Sequence, residues 1–597
     1  MAKEQLRSEI DSSCKWDLTA LLIEEEIPKL KEEVLKLTDE LENFKGKIME
    51  SSSTLLEFYK VDEKHSRIID KLFVYSHMNC DTDTKDSKRQ SLKMEIDSFI
   101  EKISERLTFI VPEILKADYD LVLKYIDEQD ELKPYRFDLE KLFREKEHTL
   151  SEAEEKIITL ASNAMGTGDD VFYNIDNSDI HLGKIKDENG EEVEVTNANY
   201  NKFMNSKDRR VRKDAFEAMY HYFEGLKNTL AASLKGNIKE NFFSSKVRKF
   251  ESPLKQSLYY DNISIDVYDN LIKSVHDNLD TMYEYMKLKK EMLGLDELHM
   301  YDIYVDLIDN KELKIPLEEG KQMVFDALRP LGEDYLNDLN KAFTEHWIDI
   351  YPNVGKKSGA YSWGCYDSYP YLLLNYNDTV DSVSTMAHEL GHSMHSYYSN
   401  KKQPYCNHNY PIFLAEIAST TNEMLLNHYM VEHASSKEEK ILYLTEFLEK
   451  VRTTIYRQTM FAEFEKIMHE KEEEGIPLTE EQFSSTYYEL NKLYYGNDMI
   501  SDDLIRYEWA RIPHFYTSFY VYKYATGLAC AIKISNDILN QKEGALENYL
   551  DFLSSGGSDY PLNILKKTGI DITSGEAIND ALAVFKEKVE ELKELMK

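Results

Sequence analysis

Apolar residues return every three or four positions along most of the chain, and that period commits it to helices. The stretch IPKLKEEVLKLTDELENFKGKIMESSSTLLEFY (27–59) shows the pattern between closely spaced charges. From about residue 24 to 115 it predicts long amphipathic helices packed as hairpins within the fold. A coiled-coil surface for a partner is the other reading of the same pattern. Helix breakers are scarce, with 22 Gly and 13 Pro among 597 residues. That length exceeds one ordinary core, so two or three structural units are expected. Texture suggests an N-terminal helical region over 1–115, a helical segment with a hairpin over 116–200, and a third, larger region over 201–597.

Two patches depart from the helical period. IHLGKIKDENGEEVEV places β-prone runs on either side of Asn189-Gly190, which predicts a β-hairpin with a tight turn. The flanking Gly166–Asp170 and Thr196–Asn199 read as loops. GAYSWGCYDSYPYLLLNY (359–376) is the second patch. The fold class is therefore mainly α, with a small sheet beside the helix that follows.

Charge narrows the class of partner. Asp and Glu total 110 against 73 Lys and Arg, a formal net charge of -37. Such a surface repels nucleic acid and anionic lipid. Cys14, Cys80, Cys365, Cys406 and Cys530 are scattered without a C-x-x-C pair, which fits free thiols in a reducing compartment. The first residues lack a secretory apolar run, and no stretch of about 18 apolar residues occurs. A cytoplasmic protein with no membrane span is expected, and no obligate protein partner is readable from the sequence.

The helix-like segment DTVDSVSTMAHELGHSMHSYYSN carries His388-Glu389-Leu390-Gly391-His392. Histidines at i and i+4 share one helical face and can offer two imidazole nitrogens to one ion. Glu389, one helical step round, can reach a water at that ion without ligating. Val383, Met386, Leu390 and Met394 would bury another face. A catalytic zinc site needs a third protein ligand and an open position. Glu416, on the apolar stretch IFLAEIASTTNEMLLNHYM, is costly to bury without a partner or metal. It lies 24 residues beyond His392, far enough for a returning helix. Glu423 could support the site or simply be solvated, and His395 is a weaker ligand candidate. Two histidines and a carboxylate suit one Zn2+ per chain, although cobalt or manganese could substitute.

His514, Tyr516, Tyr520, Tyr522 and Tyr524 crowd RIPHFYTSFYVYKYATG (511–527). They read either as the packing face of a helix or as groups reaching a reacting carbonyl. Gly359 and Tyr361 in GAYSWG belong either to a plain strand or to a strand edge that accepts an extended peptide.

These motifs resemble those of oligoendopeptidase F in the M3 (thimet oligopeptidase-like) metallopeptidase family. The resemblance spans nearly the whole chain: Trp16-Asp17-Leu18, SKDRRVRKDAFEAMY (206–220), NTLAASL (228–234), HELGHSMH (388–395), FLAEIAST (413–420) and the tyrosine-rich segment. It implies a helical ellipsoid of the zincin (gluzincin) type around a deep channel, cutting short peptides internally. It also implies His388, His392 and Glu416 as zinc ligands, Glu389 as general base, and His514 and Tyr524 as groups at the reacting carbonyl. Tyr516, Tyr522, Gly359 and Tyr361 are expected substrate contacts. The residue four beyond Glu416 is Thr420, not Asp, so Ser419 or another group must orient the histidines. A dipeptidyl-carboxypeptidase on the same site is the alternative activity. An aminopeptidase is disfavoured because no G-x-M-E-N-like motif occurs.

Overall fold

The structure is a computed structural model that describes residues 5–308 and 313–597. Helices dominate it. α1 (Ile27–Glu42) starts with a proline in its first turn, where no amide hydrogen is needed. α2 (Ser52–Asp81) and α3 (Ser87–Arg106) are capped by Ser51 and Asp86, whose side chains accept first-turn amides. α1 packs on α2, with Thr38 Oγ1 and His65 Nε2 3.1 Å apart in the interior. The hairpin reading of this region is borne out.

α4 (Thr167–Asn177) overturns the loop expected at Gly166–Asp170. Glycine serves close approach there: a Cβ on Gly168 would stand 2.9 Å from the Ser233 carbonyl oxygen. The strands β1 (Lys184–Lys186) and β2 (Glu192–Glu194) then pair antiparallel around Asn189-Gly190, as predicted. The loop expected at Thr196–Asn199 holds at Thr196 but gives way to helix from Asn197. Thr196 caps α5 (Asn197–Met204) in a reciprocal box with Asn199. α6 (Arg209–Val247) follows Asp208, which caps it.

The second β-prone patch forms a three-stranded sheet. β3 (Ile348–Asp349) runs parallel to β5 (Tyr371–Leu373), and β4 (Tyr361–Trp363) pairs antiparallel on the other side of β5. β5 is central and wholly buried, whereas β4 is the half-exposed edge. Trp16 packs edge-on against Tyr371, whose hydroxyl donates to the Asp17 carbonyl at 2.9 Å. The Trp-Asp-Leu motif near the start of the chain therefore braces this sheet.

Beyond the sheet come α7 (Val380–Lys402), capped by Thr379, and α8 (Ile412–Glu432). α9 (Arg457–Glu473) and α10 (Tyr522–Leu539) lie further on. Compactness divides the chain across the three consecutive segments read from the sequence. One unit combines Met1–Glu147, Leu313–Tyr429 and Ile534–Ile570; the other combines His148–Glu312, Met430–Lys533 and Asp571–Lys597.

Candidate metal centre

α7 supplies three of the key side chains. Its apolar face is fully buried through Val383, Met386, Leu390 and Met394. The opposite side presents His388 and His392, with Nε2 atoms 3.1 Å apart and rings nearly perpendicular. β4 lies against the neighbouring face, where Ser362 and Ser393 hydroxyls meet at 2.8 Å. Glu389 shares that face with Ser393 and is 7% exposed.

α8 brings the third donor. Glu416 Oε2 stands 3.7 Å from His388 Nε2 and 3.9 Å from His392 Nε2. Two nitrogens on a tetrahedral zinc stand about 3.3 Å apart, so these separations fit one shared ion with a corner left for water. Among the described residues this is the one such trio of His, Cys, Asp or Glu side chains. Gly391 permits the close helix crossing. A Cβ there would stand 2.6 Å from Ser419 Cα and 2.9 Å from the Ala418 carbonyl oxygen. The sequence showed Gly391 only as a filler between the histidines.

Glu423, two turns beyond Glu416, faces His388 Nδ1 at 2.6 Å. That carboxylate fixes Nδ1 as the protonated nitrogen and leaves the Nε2 lone pair for a metal. Ser384 donates to its other oxygen at 3.2 Å. Glu423 thus fills the place that a thermolysin-type Asp would hold. Ser419 instead contacts Glu416 itself, through the carbonyl at 3.1 Å and Oε2 at 3.4 Å.

Electrostatics separate the roles. Burial raises Glu389 to about 7, with Glu416 and Glu423 adding to the effect against His388 and the Ser362 amide. Burial alone would depress His388, but the Glu423 hydrogen bond and nearby carboxylates raise it. Burial and His388 hold His392 down at about 3, a neutral imidazole suited to ligation. His395 is excluded from the trio. It is a core residue stacked 3.6 Å from the Tyr410 ring, and burial lowers it to about 3.

Comparison with known proteins places this arrangement. The model for peptidase family M3 matches residues 202–584, and the Oligopeptidase F model matches 113–181. The chain is 40% identical over 591 residues to oligopeptidase PepF of Bacillus subtilis (strain 168), covering 99% of this chain and 88% of that protein. It belongs to peptidase family M3. A crystal structure from Chlamydophila abortus superposes with TM-score 0.92 at 38% identity, covering 99% of this chain and 100% of that one. Oligoendopeptidase F of Enterococcus faecium superposes with TM-score 0.73 at 33% identity, covering 96% and 99%. This M3 chain is an oligoendopeptidase F-like enzyme.

The tyrosine-rich segment of this M3 peptidase belongs to the other compact unit. Its side chains sort differently from the expectation. Tyr522 is 1% exposed and packs on Tyr268, a core position rather than a substrate contact. Tyr516 stacks on Phe172, and its hydroxyl donates to Ser233 at 3.0 Å. Both are accounted for by packing. His514 and Tyr524 form a pair, with Nε2 and the hydroxyl 3.4 Å apart, and burial with Arg457 lowers His514. On β4, the Tyr361 hydroxyl donates to Asp81 at 2.9 Å, which occupies its side chain. Gly359 has φ +81° and open space where a Cβ would be.

Proposed function

We propose that this M3 peptidase is a zinc endopeptidase that cuts internal bonds of short oligopeptides, with Glu389 as general base. The single observation that carries the reading is the convergence of His388, His392 and Glu416 donors beside a buried carboxylate. When bound, the metal would supply Lewis acidity toward a water and the scissile carbonyl. Glu389, buried beside the donor trio, accepts a proton from the attacking water and returns it to the leaving amine. His388 and His392 hold the site rigid through Glu423 and the α7 backbone. At the outer edge of β4 the Ser362 carbonyl is offered to an extended peptide with little side-chain selectivity, while the Ser362 amide serves Glu389. Tyr361 pairs inward with Leu373 and the Gly359 carbonyl accepts from Asn375 at 2.7 Å, so these two expected contacts lie on the ladder side of the strand. His514 and Tyr524 are assigned to the developing oxyanion on the family resemblance.

We place the activity in the cytoplasm. Five free thiols suit a reducing compartment, and among the described residues no helix is long and apolar enough to cross a membrane.

The deciding experiment uses an internally quenched peptide of about ten residues, blocked at both ends, with chelator and zinc add-back. Internal cleavage lost to chelator and restored by zinc is expected. Cleavage confined to an unblocked carboxyl terminus would instead indicate the dipeptidyl-carboxypeptidase. Glu389→Gln should retain one zinc per chain and lose about 10²–10⁴-fold in kcat. Substantial residual turnover in that variant would remove Glu389 from the role.

A further inference from the structure

A cavity of about 420 Å³ lies along α7 on the side of β4, within the unit that holds the metal donors. Its walls include Trp363 from β4, Ser396 and Asn400 from α7, and Phe73 and Asp70 from α2. Tyr405 and Tyr410 complete an aromatic rim. Among the described lining residues, Asp70 is the one acid and there is no Lys or Arg, while burial lowers His408 to about 4. Tyr405 donates to Asp70 Oδ2 at 2.7 Å. The nearby cations are engaged elsewhere: Arg67 pairs with Asp367 and Glu63, and Lys71 with Asp367. Burial and the Asp367 charge push Asp70 above the usual carboxylate range. A half-buried carboxylate in a cavity with aromatic walls is a receptor for an ammonium or guanidinium.

Ser396 and Asn400 lie one and two turns beyond His392, about 6 and 12 Å along the helix axis. An extended peptide advances about 3.3 Å per residue. A chain paired along β4 therefore reaches the cavity two to four residues from the bond at the metal. We infer that this cavity is a subsite for a cationic group of the substrate, with Asp70 as its counter-ion and the Trp363, Tyr405 and Tyr410 rings as its walls. The group is a Lys or Arg side chain or a free α-amine. This assignment rests on the peptidase reading above. The negative field of the whole chain would draw such peptides in.

The test is a lysine scan. A single Lys is moved through every position of a neutral, doubly blocked, internally quenched decapeptide, and the parent is also made with its amino terminus free. One position two to four residues from the cut should raise kcat/KM about tenfold, mainly through KM. Asp70→Asn should abolish that gain. So should Asn400→Lys, which supplies the cavity with its own ammonium and leaves α2 intact; melting curves establish that both variants fold. A gain that appears only with the free amino terminus, and vanishes in both variants, would identify the α-amine as the cation. If no position gains more than about twofold, or the gain survives both variants, the subsite is refuted. Failure of the peptidase reading looks different: zinc-loaded protein would leave every peptide uncut, the neutral parent included.

Discussion

The α7–α8 pair and the tyrosine-rich segment are both crowded with groups that could do chemistry, yet they are built differently. On α7 and α8 the side chains around the donor trio answer one another: His388 meets Glu423, Glu416 meets Ser419, and Ser393 meets Ser362. In the tyrosine segment, aromatic packing fixes Tyr516 and Tyr522, and its polar pairs, such as Tyr516 with Ser233 and His514 with Tyr524, do not converge on one point. The lesson is that residue type alone does not mark a site. A paired, oriented donor does.

Four measurements would break or sharpen that contrast. Tyr524→Phe carries the largest expected effect, about a 10²–10³-fold fall in kcat with zinc content unchanged, as for a lost oxyanion donor. A fall of only a few-fold would remove Tyr524 from that role. Glu423→Gln should weaken zinc binding about 10–100-fold, read by competition with a chelating dye. Unchanged affinity would show that orienting His388 matters little.

Gly391→Ala adds a methyl group against Ser419 and should destabilise the protein by about 1–3 kcal/mol in denaturant unfolding, with weaker zinc binding alongside. Normal stability would mean that α8 yields at the crossing. The smallest effect belongs to the second unit. Burial raises Glu465 to about 8, while the Phe519 amide donates to it at 2.9 Å just before the tyrosine helix. Its folded pKa exceeds the ordinary 4.5, so its stabilising contribution is complete below about pH 4.5 and is lost as pH rises through 8. Glu465→Gln should therefore melt higher than the parent above pH 8, by a margin that shrinks toward pH 5. A constant margin across that range would show that the carboxyl is not held neutral.

Much of this was legible beforehand. The helical period located α1–α3 and α6, Asn189-Gly190 marked the hairpin, and the spacing of His388, His392 and Glu416 marked the donor trio. What escaped depends on contacts between elements. Whether Glu423 or Ser419 meets a histidine is set by how α8 crosses α7, and that crossing is set by a missing methyl at Gly391. Gly168 looked like a loop former because the Ser233 carbonyl that requires its bare Cα lies far away in sequence. Thr196 has the composition of a turn, but it also has the capping box that opens a helix. Tyr522 looked available for substrate because a period of tyrosines does not say which face Tyr268 covers.

The brevity of β4 carries a consequence for solubility. An exposed sheet edge is a template on which a second copy of the same protein can grow, the first step toward aggregation. Here the edge extends for three residues, Tyr361–Trp363, about 10 Å of ladder. Strands that short do not hold a foreign sheet together. The same edge can still grip a few residues of a passing chain and let them go, so the molecule keeps an open margin without becoming a seed for its own precipitation.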